Sequence, residues 1–316
     1  MRSVTWLLDP ALHHLNHGSF GAVPAPLMQV QDEWRYAFER DPVGFVERDL
    51  LPGLDGAREA WAGLLGADGD GVVMLRNTTT GVMTVLEAVA RTLPEGAQIV
   101  LTDHAYNSTR IAVEVVAARY GLTPVVAALP FPVESSGDIT SRVLDAVGPR
   151  TGLVVVDLVT SPTALRLPVE QIVAAVGDVP VLVDAAHGPG MVDMSDGSLR
   201  DAAVVVANGH KWLCAPRGSA AMVVRDDWRE QVRPLVVSHG WEDGFAPDRS
   251  RLHASFDLTG TDDPSPWLTV PAAGGLGDAL HPDGWPGVRT ANHDLALQAR
   301  DVLCDALAID PPAPDG

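Results

Sequence analysis

Ala202-Ala203-Val204-Val205-Val206-Ala207-Asn208-Gly209-His210-Lys211-Trp212-Leu213 decides how the rest of the 316-residue chain is read. Its first six residues are apolar without alternation, so a strand there must be buried on both faces. Similar runs recur at Val72 to Leu75, Gln98 to Thr102, Pro124 to Ala128, Leu153 to Asp157, Pro180 to Asp184 and Ala220 to Val224. Helical spacing fills Thr80 to Thr92, Asn107 to Tyr120, Ile139 to Val147 and Val169 to Val176. Doubly buried strands alternating with helices predict an α/β fold, a mostly parallel seven-stranded sheet covered by helices. Such sheets bind ligands beyond the carboxyl ends of their strands.

Lys211 stands beyond one of those ends, and it is the only lysine among 22 basic residues. Arginine stays protonated, whereas a desolvated lysine can lose its proton and attack a carbonyl. Schiff-base formation is the chemistry that needs the amine. A surface lysine would not be expected among Trp212, Leu213 and Cys214.

The formal net charge is -19, which argues against nucleic acid or anionic lipid as a partner, since each needs a basic face. Cys214 and Cys304 make neither a disulfide framework nor a zinc cluster, and no metal site is expected. Neither a signal peptide nor a membrane-length apolar stretch is read, so the expected location is cytoplasmic.

Toward the N-terminus, Leu15 to Pro24 is a Gly-punctuated loop that precedes a helical pattern over Ala25 to Arg40. Asp41-Pro42 breaks that pattern, and a second runs from about Leu54 to Leu65. After Arg225 the alternation stops. Gly240 to Pro266 reads as a long loop, followed by helical patterns at Trp267 to Leu280 and Val288 to Leu307 and a Pro-rich end.

The polar residues gather where strands stop. Asp184 either holds a protonated ring nitrogen or caps the next helix. Arg76-Asn77-Thr78-Thr79-Thr80-Gly81 is either a phosphate cup or plain capping. Asp103-His104-Ala105-Tyr106-Asn107 offers rings to cover a flat heterocycle or to pack in the core. Thr160-Ser161-Pro162-Thr163 offers hydroxyls or a turn. An anion cup, an aromatic cover, a carboxylate and a lone lysine match the phosphate, flat ring, pyridinium and aldehyde of pyridoxal 5'-phosphate.

The segment Asp184-Ala185-Ala186-His187-Gly188, followed by Gly209-His210-Lys211-Trp212, resembles the class V aminotransferase family of fold-type I enzymes. Leu15 to Gly21, Asp41 to Phe45, Asn77 to Gly81, Asp103 to Asn107, Thr160 to Thr163 and Gly260 to Pro264 resemble its isopenicillin N epimerase-like branch. The resemblance implies that Lys211 forms the Schiff base with pyridoxal 5'-phosphate and shuttles the α-proton. It implies that Asp184 pairs with the pyridine nitrogen, and that His187 and Ser161 sit near the phenolic oxygen and ring. Tyr106, or in second place His104, would stack on the ring. Thr78, Thr79 and His210 would hold the phosphate, with Thr261 reaching a partner subunit's phosphate in a homodimer. Asn16, His17 and Gly18 would line the substrate entrance.

The same resemblance implies an N-terminal arm over 1–25, a large cofactor-binding domain over 26–245, and an incomplete start of a small C-terminal domain over 246–316. That small domain would supply the arginine for a substrate carboxylate, a role for which Arg289 is a candidate here. The expected activity is epimerisation, racemisation or carbon–sulfur lysis of an amino acid or small peptide. An aminotransferase and a non-catalytic homologue are the alternatives. Cys214 and Cys304 both read as buried packing residues, which disfavours a desulfurase with a nucleophilic cysteine.

Overall fold

The computed structural model describes residues 4–242 and 246–314; the expected domain boundary after Phe245 lies outside them. Its centre is one seven-stranded sheet: β1 Val72–Leu75, β2 Gln98–Thr102, β3 Thr123–Ala127, β4 Thr151–Asp157, β5 Val181–Ala185, β6 Val204–Asn208 and β7 Ala220–Val224. The order is β1-β7-β6-β5-β4-β2-β3. Pairing is parallel from β3 through to β6, and β7 runs antiparallel to both of its neighbours.

Successive side chains of a strand point to opposite faces, and both faces are covered here. On one side Val154, Val156, Val181 and Val183 join a core with Leu27, Phe45, Leu54 and Trp61. Those four come from α1 Ala25–Arg40, the turn after α2 Pro42–Gly44, and α3 Leu50–Leu65. On the other side Leu153, Val155, Leu182 and Val206 pack with Val82, Val85, Leu86, Val113 and Val116. These belong to α4 Thr78–Ala90 and α5 Asn107–Tyr120. Each fully buried Val or Leu contributes about 1.5–3 kcal/mol, which is why these runs carry no polar alternation.

The helices start where local chemistry allows. Asn77 caps α4 by accepting from the Thr80 N–H at 2.9 Å. Ser135 caps α6 Ser136–Ala146, accepting from the Asp138 N–H at 3.2 Å. After α7 Val169–Ala175 the chain enters β5.

The stretch Gly240 to Pro266 is not loop throughout, because it contains α8 Arg251–Asp257. Seven residues show too little periodicity to be read. The helix is held by its Ser250 cap and by Asp257, whose buried carboxylate meets Arg58 and Arg249, each at 2.9 Å. The pattern from Trp267 to Leu280 is likewise broken, into α9 Ser265–Leu268, α10 Val270–Gly274 and α11 Gly277–Leu280. Pro271 and the Gly274-Gly275 pair prevent one continuous helix there. The last helix, α12 Gly284–Leu307, precedes a tail whose Pro312 carbonyl accepts from the Val133 N–H at 2.8 Å.

Candidate active site

Lys211 lies just past β6. Its Nζ is 3.1 Å from His187 Nε2 and 5.8 Å from the centre of the Tyr106 ring. His187 follows β5, and its Nδ1 accepts from the Trp212 indole Nε1 at 3.2 Å. Burial, with the Lys211 charge second, lowers the His187 imidazole to about 4, so it is neutral at neutral pH. Burial also pushes the Lys211 amine down, against the pull of Asp184 and Asp157.

Asp184 is buried on the α4–α5 face of β5. It accepts from the Ala186 N–H at 3.0 Å and from the Thr109 hydroxyl at 3.2 Å. Burial raises its pKa, opposed by those two donors and by Lys211. Beside it, Asp157 of β4 is its register partner, also buried, on a strand about 4.8 Å away. Burial first, and then the neighbouring Asp184 charge, pushes the Asp157 carboxyl well up. Two carboxyls at this spacing resist joint ionisation unless a cation joins them. Asp157 is a site residue that the sequence motifs do not single out. Its signal was available, since it ends the run from Leu153 as Asp184 ends the run from Pro180.

Asn208 closes β6 by accepting from the Thr78 N–H at 3.0 Å and donating to the Thr78 hydroxyl at 3.2 Å. The Ser108 hydroxyl lies 3.4 Å from that of Thr79, so two helix starts meet in a group of hydroxyls. His210 Nδ1 is 3.1 Å from the Ser219 carbonyl. A carbonyl only accepts, so Nδ1 carries a proton and Nε2 is the nitrogen left to the site.

His104 is buried, with Nδ1 2.8 Å from the Thr163 hydroxyl, which in turn meets the Thr160 hydroxyl at 2.8 Å. Tyr106, 43% exposed, is therefore the ring available as a cover. Ser161 is exposed in the Thr160–Thr163 loop.

The N-terminal stretch reaches the lysine. Asn16 accepts from the Ser19 N–H at 3.0 Å and donates to its hydroxyl at 2.9 Å. The His17 ring tilts over Trp212 with centroids 6.1 Å apart. A Cβ on Gly18 would come within 3.1 Å of Trp212 and 3.2 Å of His187. Thr261 stands apart, exposed beside Arg76 in a groove shared with Thr80 and Leu235. Arg289 is engaged by Asp193 at 2.7 Å. A cavity of about 540 Å³ around Arg229, Trp241 and His253 lies elsewhere and contains none of these residues.

The donor set fits pyridoxal 5'-phosphate. A partly buried amine whose pKa burial lowers suits its aldehyde, and two buried carboxyls side by side suit a protonated ring nitrogen. Hydroxyls at the start of a 13-residue helix suit its phosphate.

The family model described as aminotransferase class-V matches residues 46–252. Isopenicillin N epimerase of Amycolatopsis lactamdurans is 33% identical over 97% of this chain and 79% of its own length. A putative L-cysteine desulfhydrase of Oryza sativa subsp. japonica is 31% identical over 94% of this chain and 64% of its own. Among solved structures, a mutant of C-DES with glycine covalently linked to its PLP cofactor aligns with a TM-score of 0.74. That alignment is 21% identical and covers 87% of this chain and 73% of the other.

Proposed function

The chain belongs to the aminotransferase class-V family and is a pyridoxal 5'-phosphate-dependent enzyme; within that family we propose that it abstracts the α-proton of an amino acid or small peptide, leading to epimerisation or to β-elimination at a carbon–sulfur bond. The observation that carries this reading is the lone lysine, held 3.1 Å from a neutral histidine beside a buried aspartate.

Pyridoxal 5'-phosphate, when bound, supplies an aldehyde and a conjugated ring that takes up electrons from the α-carbon. Lys211 Nζ would hold the cofactor through its aldehyde carbon and move the α-proton. Asp184 provides the anion that keeps the ring nitrogen protonated, with the Thr109 hydroxyl and the Ala186 N–H fixing its carboxylate. Thr78, Thr79 and His210 hold the phosphate, Tyr106 covers the ring, and His187 and Ser161 serve its phenolic side. Asn16, His17 and Gly18 shape the entrance.

Cys214 is buried, and its thiol is pushed up to about 12 by that burial. Cys304 is buried as well. With both cysteines buried and the Cys214 thiol held protonated, sulfur eliminated from a substrate leaves directly as sulfide or thiol.

In this reading residues 1–25 form an arm, 26–245 the cofactor domain and 246–316 belong to a smaller unit, in a cytoplasmic homodimer. Exposed Leu235 and Val236 beside Thr261 give a second copy an apolar surface to cover.

The test is visible absorption of protein mixed with pyridoxal 5'-phosphate, before and after borohydride, alongside Lys211→Ala. A band abolished by borohydride and missing from the variant is expected. Chiral analysis and sulfide detection across amino acids then separate epimerisation from elimination. A colourless protein, or a coloured one inert toward every amino acid and small peptide offered, overturns the reading.

A further inference from the structure

Trp212 follows the lysine. Its one polar atom, the indole Nε1, can only donate. It donates to His187 Nδ1 at 3.2 Å. A ring nitrogen that accepts carries no proton, so the neutral imidazole has its single proton on Nε2. That atom lies 3.1 Å from Lys211 Nζ. The Nε2–H must therefore donate to the amine, and an ammonium has no lone pair to receive it. The alternative, an ammonium donating to Nε2, would leave both ring nitrogens without a proton, which a neutral imidazole does not allow.

We propose that Trp212 is a positioning residue that fixes the tautomer of His187, so that the histidine holds Lys211 as an uncharged, nucleophilic amine before the cofactor arrives. The proposal rests on the reading of Lys211 as the Schiff-base residue. The burial that lowers both groups acts in the same direction.

The surroundings keep the two rings in place. Gly18 packs over the edge they share, within about 3 Å of both for any added Cβ. Against the Trp212 backbone, Gly190 adopts φ +84°, and a Cβ there would stand 2.4 Å from the Trp212 carbonyl oxygen. The titratable groups that bear on the amine are Asp157 of β4, Asp184 of β5, His187 after β5, and the adjoining His210. The Tyr106 ring faces it from the start of α5. The two aspartates favour the charged amine, so the histidine donor opposes them directly.

A chain with one lysine makes the test clean. Apoprotein labelled with ¹⁵N-histidine is examined by two-bond ¹H–¹⁵N correlation at pH 7.5, with the His187 signals assigned by their loss in His187→Gln. The expected result is a proton on Nε2 and a bare Nδ1. In parallel, competitive acetylation of Lys211 is read by peptide mass across pH for the unsubstituted chain and for Trp212→Phe, which keeps an aromatic ring without the donor. Lys211 of Trp212→Phe should acetylate about fivefold more slowly at neutral pH, the worth of one ordinary hydrogen bond, with its profile displaced to higher pH.

A proton on Nδ1 of His187 in the unsubstituted chain overturns the proposal, whatever the variant does. So does an unchanged acetylation profile in folded Trp212→Phe. If the tautomer and the profile are as expected but pyridoxal 5'-phosphate never colours the protein, the functional reading fails and the tautomer assignment stands.

Discussion

Gly21 is where the N-terminal arm touches the lysine loop. Its N–H donates to the His210 carbonyl at 3.1 Å, one residue before Lys211. A methyl group there would stand 2.4 Å from the Lys211 carbonyl oxygen and 2.6 Å from that of His210. Both obstacles are backbone. Ordinary contact begins at 3.4 Å, so Gly21→Ala must separate the two segments by about 1 Å. The arm yields, because the lysine loop is bonded into the sheet. The expected loss is the one hydrogen bond, about 1 kcal/mol, together with displacement of Gly18 and His17 from Trp212. A shift of about 1 Å in a positioning element costs about 10²-fold in rate. The assay is the rate of borohydride-trappable adduct formation on Lys211 and of substrate turnover, with thermal unfolding alongside. Gly63→Ala in α3 is the control. Nothing lies within 4 Å of its added Cβ, so it should gain about 1 kcal/mol and leave turnover unchanged. Parent-like trapping, turnover and melting in Gly21→Ala would refute the reasoning.

Asp257→Ala removes the buried carboxylate that joins Arg58 and Arg249, leaving them the exposed carboxylate of Asp55, and should cost about 3 kcal/mol in urea unfolding; a loss below about 1 kcal/mol would show the cluster to be idle. Asp157 has a raised pKa in the folded state. Its contribution is therefore fully present below its unfolded pKa and is lost as pH rises through the folded value. Asp157→Asn should accordingly make apoprotein relatively more stable at pH 8 than at pH 5, compared with the parent, and an identical pH dependence in urea denaturation contradicts this. Cys214, with its thiol at about 12, should resist maleimide at pH 8 until the protein is unfolded, which peptide mass spectrometry reads directly.

The strands were legible because a doubly buried strand has no reason to alternate. β1, β2 and β7 fall where the apolar runs place them, and the others shift by one or two residues. α1 and α5 match their expected bounds. α8 was hidden because tertiary ion pairs, and not periodicity, hold it. Among the site residues, Asp184, His187 and Lys211 announced themselves by chemistry and by position at strand ends. Asp157 and Asn208 stand at strand ends too, but their tasks, like those of Thr109 and Trp212, come from neighbours in space. Thr109 reaches Asp184 across 75 positions of sequence, and Asp157 matters through sheet register. Strand register and ring tautomers are properties of the folded chain, and residue identity alone does not carry them.

The antiparallel β7 has a consequence for how such an enzyme can change over generations. The segment bearing Lys211 leaves β6 and re-enters the sheet in the adjoining strand, closed by Gly209 N–H to the Ser219 carbonyl at 2.9 Å and by Ala215 N–H to the Gly209 carbonyl at 3.0 Å. Insertions there would push apart two bonded strands and move the amine with them. Asn16 and Ser161 are exposed at the rim, in segments that lie outside the strands of the sheet. A lineage can therefore trade one substrate for another at the rim while its nucleophile stays set in the frame of the sheet.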